Sequence, residues 1–335
     1  MFIIVNAKVQ REIREKIRRV TRIFRYPVNE PGIKKLGINK VFKMSNIQGS
    51  KLVTQTFQDL KQPQDRVQCM HVYIDGSLKS FRTKSLTWHE EPRNPDDFPL
   101  MEFCGSATNF DVGDVADYYA KPVRIFADPF RGGRNKLVFC ETYSREGLPT
   151  FANNRYRLQT AEHLPKQSFT FYQSYALLRK DGKPLAPLYE TDPKWDFGRP
   201  VAESHYKACL YAGIKFASLE PVPGRGEWRY SVSVSSSVVE LSDEIWMSRF
   251  ILQRVAEDFG VNVSFEKGQT SLWLDAENFP HETKLRIVDV LLSQFVVKQH
   301  KQVQVRNLDS NIVLSHLQQD LDPYVLYIRV FLSKM

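Results

Sequence analysis

The chain has 335 residues, of which 42% are hydrophobic and 25% charged, a composition typical of an ordinary folded protein with about two domains. No apolar run approaches the roughly 20 residues that a membrane-spanning helix needs, so the sequence predicts no transmembrane segment. The four cysteines are widely spaced and include no C-x-x-C pair, which argues against a zinc ribbon and predicts a reduced, intracellular protein.

The net charge of +9 belongs to the first 51 residues. That segment holds 13 Lys and Arg against three Glu, a balance of +10, whereas residues 52–335 hold 34 basic and 35 acidic side chains, a balance of −1. A groove that binds nucleic acid needs Lys and Arg clustered on the folded surface. The near-neutral body therefore argues against nucleic acid as a partner.

The N-terminal extension, residues 1–48, carries an apolar stripe with arginines between its members: Val9, Ile13, Ile17, Val20 and Phe24. This spacing predicts a basic amphipathic helix, which suits a mitochondrial targeting segment, a membrane-surface helix or a helix that docks on a partner. Two acidic residues, Glu12 and Glu15, and the absence of Ser before Ser45 weigh against targeting. The predicted location is cytoplasmic, with mitochondrial import as the alternative.

From Arg66 onward the pattern changes to strands and helices that interleave. Alternating apolar residues predict strands at RVQCMHVYIDG from Arg66 and at KLVFCETY from Lys136, with a Pro-rich loop around Glu90–Pro99 between them. Further strands are predicted at Ser168–Leu178 and Glu227–Val234.

Three helices are predicted in the second half of the chain. The first runs from Val201 to about Ala212 and ends at Gly213. The second is capped by Ser242 and closed by Gly260, and the third spans roughly Thr283–Lys298. The fold class is therefore α+β or α/β.

Five segments resemble the eukaryotic-type glutamine synthetases, in the same order, from about residue 52 to residue 310. They are VQCMHVYIDG from Val67, FADPFRGGRNKLVFCETY from Phe126, AESHYKACLYAGIKFAS from Ala202, WRYSV from Trp228 and IWMSRFILQRVAEDFGV from Ile245. The resemblance implies an α+β fold with a β-grasp domain at 49–148. It also implies a catalytic-like α/β domain at 149–335, with a curved antiparallel sheet and flanking helices, that is truncated at its C-terminus.

The family's chemistry sets the site that the resemblance implies. Members form stacked pentameric rings and use ATP with Mg²⁺ or Mn²⁺ to phosphorylate glutamate before ammonia displaces the phosphate. Hard divalent cations take oxygen ligands, mainly carboxylates. The strand that reads E-x-E-Y in the family matches Tyr172-Gln173-Ser174-Tyr175, so both of its carboxylates are absent here.

The second pair of family ligands lies in a segment that reads N-A-E-x-x-P-x-Q-W-E-F. An ungapped match on Trp228 places Val222 and Arg229 at the ligand positions, and neither binds a hard cation. The alternative uses Glu220 and Glu227, which keep the family's seven-residue spacing but require a two-residue deletion and a compensating insertion. Even this alternative restores only half of the carboxylates.

Other family features are changed or missing. The Gly-rich loop with a metal-binding histidine is gone around Gly268, and His281-Glu282-Thr283 imitates the family's flap at the wrong place. The long flap and the D-R-R-P segment have no counterpart, and Arg329 is the one candidate for residual phosphate binding. Cys104-Gly105-Ser106 stands where the family has Asp-Gly-Ser. We therefore expect no intact catalytic residue, no bound metal and no cofactor.

Seven residues in the matched segments are interpreted as scaffold rather than chemistry: His205, Tyr206, Cys209, Trp228, Trp246, Arg249 and Phe250. The leading hypothesis is a catalytically inactive glutamine synthetase-like protein with a structural, regulatory or assembly role, as a homo-oligomer or as a hetero-oligomer with an active paralogue. One alternative is a weakly active glutamine synthetase. Another is a binding module that attaches to acidic lipid or nucleic acid through residues 1–45.

Overall fold

The computed structural model describes residues 57, 60–110, 117–159, 169–185, 197–222, 226–234, 237–265, 270–274, 301–307 and 326–332. The chain divides into two compact units, Met1–Leu60 and Lys61–Met335, and every element given below belongs to the second. The predicted N-terminal helix, His281-Glu282-Thr283 and the predicted helix Thr283–Lys298 lie outside the described residues.

Five strands form the first sheet, in the order β2-β1-β5-β4-β3. They are β1 (Val67–Ile74), β2 (Phe81–Trp88), β3 (Met101–Cys104), β4 (Asp117–Ala127) and β5 (Lys136–Ser144). The β1–β5 pair is parallel and the other three pairs are antiparallel. The predicted strands at Arg66 and Lys136 are confirmed as β1 and β5. Every second residue of β1 from Val67 is buried, whereas β5 lies in the middle of the sheet and its residues 137–142 are all buried.

Buried Asp75, just after β1, holds two turns together. Its carboxylate accepts hydrogen bonds from the Ser77 backbone N–H at 3.0 Å and from Asn109 Nδ2 at 3.1 Å. A Cβ at Gly76 would lie 2.0 Å from the Asn109 carbonyl oxygen, so only glycine allows this approach. The turn that follows Cys104 is fixed in this way against the end of β1.

Seven strands form the second sheet, in the order β11-β12-β10-β6-β8-β7 with β9 also paired to β6. They are β6 (Phe169–Leu178), β7 (Phe216–Val222), β8 (Glu227–Val234), β9 (Asn262–Ser264), β10 (Thr270–Leu274), β11 (Lys301–Asn307) and β12 (Leu326–Leu332). The predicted strands at Ser168 and Glu227 are confirmed as β6 and β8.

The second sheet is mixed, whereas the resemblance predicted an antiparallel one. The β10–β12 and β11–β12 pairs are parallel, and the remaining pairs are antiparallel. Parallel neighbours need a crossover of about a dozen residues or more. The connections at 275–300 and 308–325 have that length.

Three helices are described: α1 (Asn154–Gln159), α2 (Arg199–Ala212) and α3 (Val238–Phe259). The predicted ends of α2 at Gly213 and of α3 at Gly260 are confirmed, since both glycines adopt the left-handed conformation, with φ of 84° and 71°.

The predicted cap of α3 at Ser242 is wrong. The helix begins at Val238, and the Ser237 hydroxyl accepts a hydrogen bond from the Glu240 backbone N–H at 3.1 Å. Ser242 lies buried one turn further on. Val238 and Val239 are buried as well. The buried face of α3 therefore begins before Ser242, the predicted cap.

The main core lies between α2, α3 and one face of the second sheet. The strand residues on this helix side are Phe169, Phe171, Tyr175, Leu177, Trp228, Tyr230, Val232 and Val234. The first sheet joins the same core, because Phe81 of β2 packs edge-on against Trp246 and Phe250 with ring centroids 5.7 and 5.6 Å apart. Two sheets with few helices confirm the α+β class. Among the described helices, none combines the length and apolar character needed to cross a membrane.

Candidate functional site

Strands β6, β7 and β8 carry a second set of side chains on the face away from α2 and α3, which we name the polar face. Successive side chains of a strand alternate between faces. The members are Thr170, Tyr172, Ser174, Ala176, Ser218, Glu220, Val222, Glu227, Arg229, Ser231 and Ser233. All six residues that the sequence named as degenerate or replacement metal ligands on these strands belong to this face.

The strand register brings these positions together in rows. Arg229 of β8 lies between Ser174 of β6 and Glu220 of β7. In the next row Glu227 lies opposite Val222, and on the other side Ser231 lies between Tyr172 and Ser218. Segments about 50 residues apart in the chain thus meet across three adjacent strands.

Arg229 and Glu220 form an ion pair at the centre of the polar face. Arg229 Nε and Nη2 lie 2.8 and 2.7 Å from the same Glu220 oxygen, Oε1. The guanidinium carbon also lies 5.9 Å from the centroid of the Tyr172 ring. Both side chains are partly solvated, with 38% of Arg229 and 47% of Glu220 exposed. The first replacement ligand is therefore already bound to a cation of the chain itself.

The side chains of the polar face do not fit a divalent metal. Mg²⁺ and Mn²⁺ prefer several carboxylate or carbonyl oxygens. The four predicted ligand positions instead supply two neutral hydroxyls, one aliphatic side chain and one cation: Tyr172, Ser174, Val222 and Arg229. Within the described part of the chain, no group of three or more His, Cys, Asp or Glu is arranged to hold a metal.

The remaining predicted residues lie on other elements. The backbone register aligns position 329 of β12 with Ser271 of β10, and Ser271 with Tyr172 of β6. Arg329 therefore shares a cross-strand row with the polar face. Cys104-Gly105-Ser106 closes β3, and Cys104 Sγ lies 3.1 Å from Ser106 Oγ.

Gln173, between two of the predicted positions, was missed by the sequence reasoning. It points to the helix side, where its Oε1 accepts hydrogen bonds from Arg249 Nε at 3.0 Å and from Nη2 of the same residue. Arg249 is also stacked between two aromatic rings, 5.1 Å from the Trp246 centroid and 4.8 Å from that of Phe265. The sequence did contain a signal for Gln173: it is a polar residue at a strand position that lies on the same face as the buried residues Phe171 and Tyr175. Burial lowers the pKa of the Arg249 guanidinium to about 10.

The other residues interpreted as scaffold also lie on the helix side. His205 Nε2 donates to the Ser248 carbonyl oxygen at 3.0 Å, and burial lowers the pKa of the imidazole to about 3, so the ring is neutral. Trp228 Nε1 donates to the Phe197 carbonyl at 2.8 Å, and Tyr206 stacks on Phe216 with centroids 4.6 Å apart. These contacts belong to the packing of the main core.

A buried ion-pair cluster joins the first sheet to α1 and α3. Arg155 Nε lies 2.9 Å from Asp243 Oδ1, and Arg155 Nη1 lies 3.7 Å from Glu141 Oε2. Burial raises the pKa of the Asp243 carboxyl to about 6, although Arg155 opposes the shift. No local pattern predicts this cluster, because its members are separated by up to about 100 residues.

A cleft of about 420 Å³ lies elsewhere, between the loop after β2, strand β4 and the end of α2. Two of its three basic lining residues are paired within the protein. Arg124 Nη2 is 2.6 Å from Glu244 Oε1, and Lys136 Nζ is 2.5 Å from Glu91 Oε1. These ion pairs connect separate elements of the fold. The polar face is therefore the candidate site.

Comparison with known proteins shows relatives of one kind. The chain is 33% identical over 229 residues to "Probable glutamine synthetase" of Caenorhabditis elegans, covering 64% of this chain and 62% of that protein. It is 33% identical over 232 residues to "Glutamine synthetase" of Canis lupus familiaris, covering 65% of this chain and 62% of the relative. The chain is a glutamine synthetase homologue.

This homologue is also 34% identical over 232 residues to "Glutamine synthetase 1, mitochondrial" of Drosophila melanogaster, covering 64% of the chain and 58% of the relative. The chain thus spans about three fifths of the length of the curated relatives that it matches. No protein-family model matches it. Among solved structures, "GmaS/ADP complex-Conformation 1" aligns with a TM-score of 0.49 and 15% identity, over 62% of this chain and 54% of that one.

Proposed function

We propose that this glutamine synthetase homologue is not a catalyst and that it serves as a structural, regulatory or assembly subunit. The observation that carries the proposal is the Glu220–Arg229 ion pair on the polar face. Phosphoryl transfer depends on metal ions that bridge and neutralise the phosphates. A positive side chain bound to the nearest carboxylate removes the negative charge that such ions require.

The expected loss of catalytic rate is large because several residues of the site differ together. Removing one preorganised charge contact from an active site typically lowers the rate about 10²–10³-fold. Here Tyr172, Ser174, Val222 and Arg229 occupy four positions where the family resemblance implies carboxylates. Losses at several contacts of one site leave no useful turnover.

The test is an assay of the purified full-length protein with ATP, glutamate, ammonia and either Mg²⁺ or Mn²⁺. An active glutamine synthetase assayed in parallel is the positive control. We expect glutamine and phosphate at the level of the enzyme-free blank. Release of both products in equal amounts, well above the blank, would show that the protein is an enzyme and would reject the proposal.

The assembly role has a separate test. We expect the native mass of the protein, measured by light scattering, to exceed that of one chain, either alone or after mixing with an active glutamine synthetase from the same organism. A monomer under both conditions would contradict a subunit role, whatever the outcome of the activity assay.

A weakly active enzyme is the second candidate, because Glu220 and Glu227 lie on the same face of adjacent strands. It predicts that ATP binds in a metal-dependent manner and that Glu220→Ala removes this binding. Calorimetry that detects no binding of ATP with Mn²⁺ to the unmodified protein would exclude this candidate.

A further inference from the structure

The polar face contains two carboxylates on neighbouring strands, and a guanidinium is bound to one of them. Glu220 lies directly opposite Arg229, and Glu227 lies two positions before Arg229 on the same strand. Glu220 and Glu227 are thus diagonal neighbours across the β7–β8 pair, with Cα atoms roughly 7–8 Å apart. Two carboxylates at that separation have side chains long enough to approach one cation between them.

The Arg229 guanidinium is bound to the first of these carboxylates. Its Nε and Nη2 both contact Glu220 Oε1, at 2.8 and 2.7 Å, so the carboxylate is neutralised by direct contact. The Tyr172 ring lies below the guanidinium carbon at 5.9 Å and favours a cation there. A divalent ion at the same place would be repelled by the guanidinium and would have to break its contact with Glu220.

We infer that Arg229 is the resident cation of this homologue: the side chain replaces the metal ion and covers a weak, latent metal site formed by Glu220 and Glu227. The inference deepens the proposed function and rests on it, since it explains how the sheet keeps its polar face without metal. Within a polar face that is poor in carboxylates, Arg229 is then the residue that repels a divalent ion from Glu220. Removal of its charge frees the Glu220 carboxylate for a metal ion.

Arg229→Gln tests this directly, because glutamine keeps hydrogen-bonding capacity and removes the charge. The readout is the free Mn²⁺ signal in electron paramagnetic resonance, titrated against the full-length protein, which needs no nucleotide and no activity. We expect no saturable binding for the unmodified protein and an affinity at least about tenfold higher for Arg229→Gln, as for the loss of one opposing charge in contact.

Two matched variants separate charge from shape and locate the ligand. Arg229→Lys keeps the positive charge, so we expect no gain of Mn²⁺ binding. Arg229→Gln combined with Glu220→Gln removes the exposed carboxylate, so the gain should disappear. Circular dichroism and the thermal unfolding midpoint establish that each variant is folded.

Two results would overturn the inference. One is saturable Mn²⁺ binding by the unmodified protein that is lost in Glu220→Gln, since Arg229 would then not occupy the place of the ion. The other is a folded Arg229→Gln protein that binds no more Mn²⁺ than the parent. Either result is independent of the glutamine assay, so failure of this inference is distinguishable from failure of the proposed function.

Discussion

The two faces of strands β6 and β8 differ in what their side chains contact. On the helix side, Phe171, Tyr175 and Tyr230 are completely buried against α2 and α3. On the polar face the neighbouring residues, Tyr172 and Arg229, are partly solvated and form a small ion-pair cluster. Because strand side chains alternate, one set of positions can change without repacking the other. The comparison explains how the fold can persist while the residues of the polar face change.

The largest effect should come from adjacent substitutions on the two faces of β6. Phe171→Ala removes a fully buried ring from the core and should lower the free energy of unfolding by about 3–5 kcal/mol. Tyr172→Ala, the next residue, lies on the polar face and should lower it by about 1 kcal/mol or less. Guanidinium chloride denaturation measures both. Equal losses would contradict the separation of the two faces.

Gln173 provides the second test, because it is the polar member of the helix side. Gln173→Leu leaves the buried Arg249 guanidinium without the Oε1 acceptor, and we expect a loss of about 2–3 kcal/mol of unfolding free energy. The double variant with Arg249→Met removes both polar groups and should lose less than the sum of the two single variants. Strict additivity would show that the two side chains do not depend on each other.

The buried carboxyl of Asp243 predicts a pH dependence of the protein's stability. Its pKa is raised by burial from 3.8 to about 6, so between these values the native state binds more protons than the unfolded state. The contribution to stability is therefore complete below about pH 4 and is lost as pH rises through 6. Its size is on the order of 3 kcal/mol.

Asp243→Asn should flatten this part of the stability profile, whereas Asp258→Asn, at an exposed position of the same helix, should leave it unchanged. Denaturation at pH 4, 5, 6 and 7 measures the slope. An unaltered slope in Asp243→Asn would assign the pH dependence to another group.

Much of this architecture follows from local sequence signals. Strands β1, β5, β6 and β8 and helix α2 were predicted within about two residues, since alternation and glycine stops act locally. The parallel pairing of β10, β11 and β12 was not predicted, because it depends on long crossovers. The Gln173–Arg249 contact joins residues 76 positions apart, so no local pattern identifies Arg249 as the partner of Gln173.

The site itself was predicted only through the family resemblance, and one relationship was misjudged. The two alternative alignments assigned the second ligand pair either to Val222 and Arg229 or to Glu220 and Glu227, and so treated Arg229 and Glu220 as members of rival pairs. The register shows that they are cross-strand partners, so both alignments lead to the same place on the sheet. A single sequence contains no information on pairing between strands, and the ion pair became visible only when β7 and β8 were placed side by side.

The smallest expected effect on stability is at that ion pair. Glu220 and Arg229 are 47% and 38% exposed, and partly solvated ion pairs contribute about 0–1 kcal/mol. We therefore expect Glu220→Gln to change the free energy of unfolding by less than about 1 kcal/mol, with little dependence on added Mn²⁺. A loss above about 2 kcal/mol would mean that the pair is a structural element of the sheet. The polar face would then be maintained for packing, and its charges would say nothing about a replaced metal.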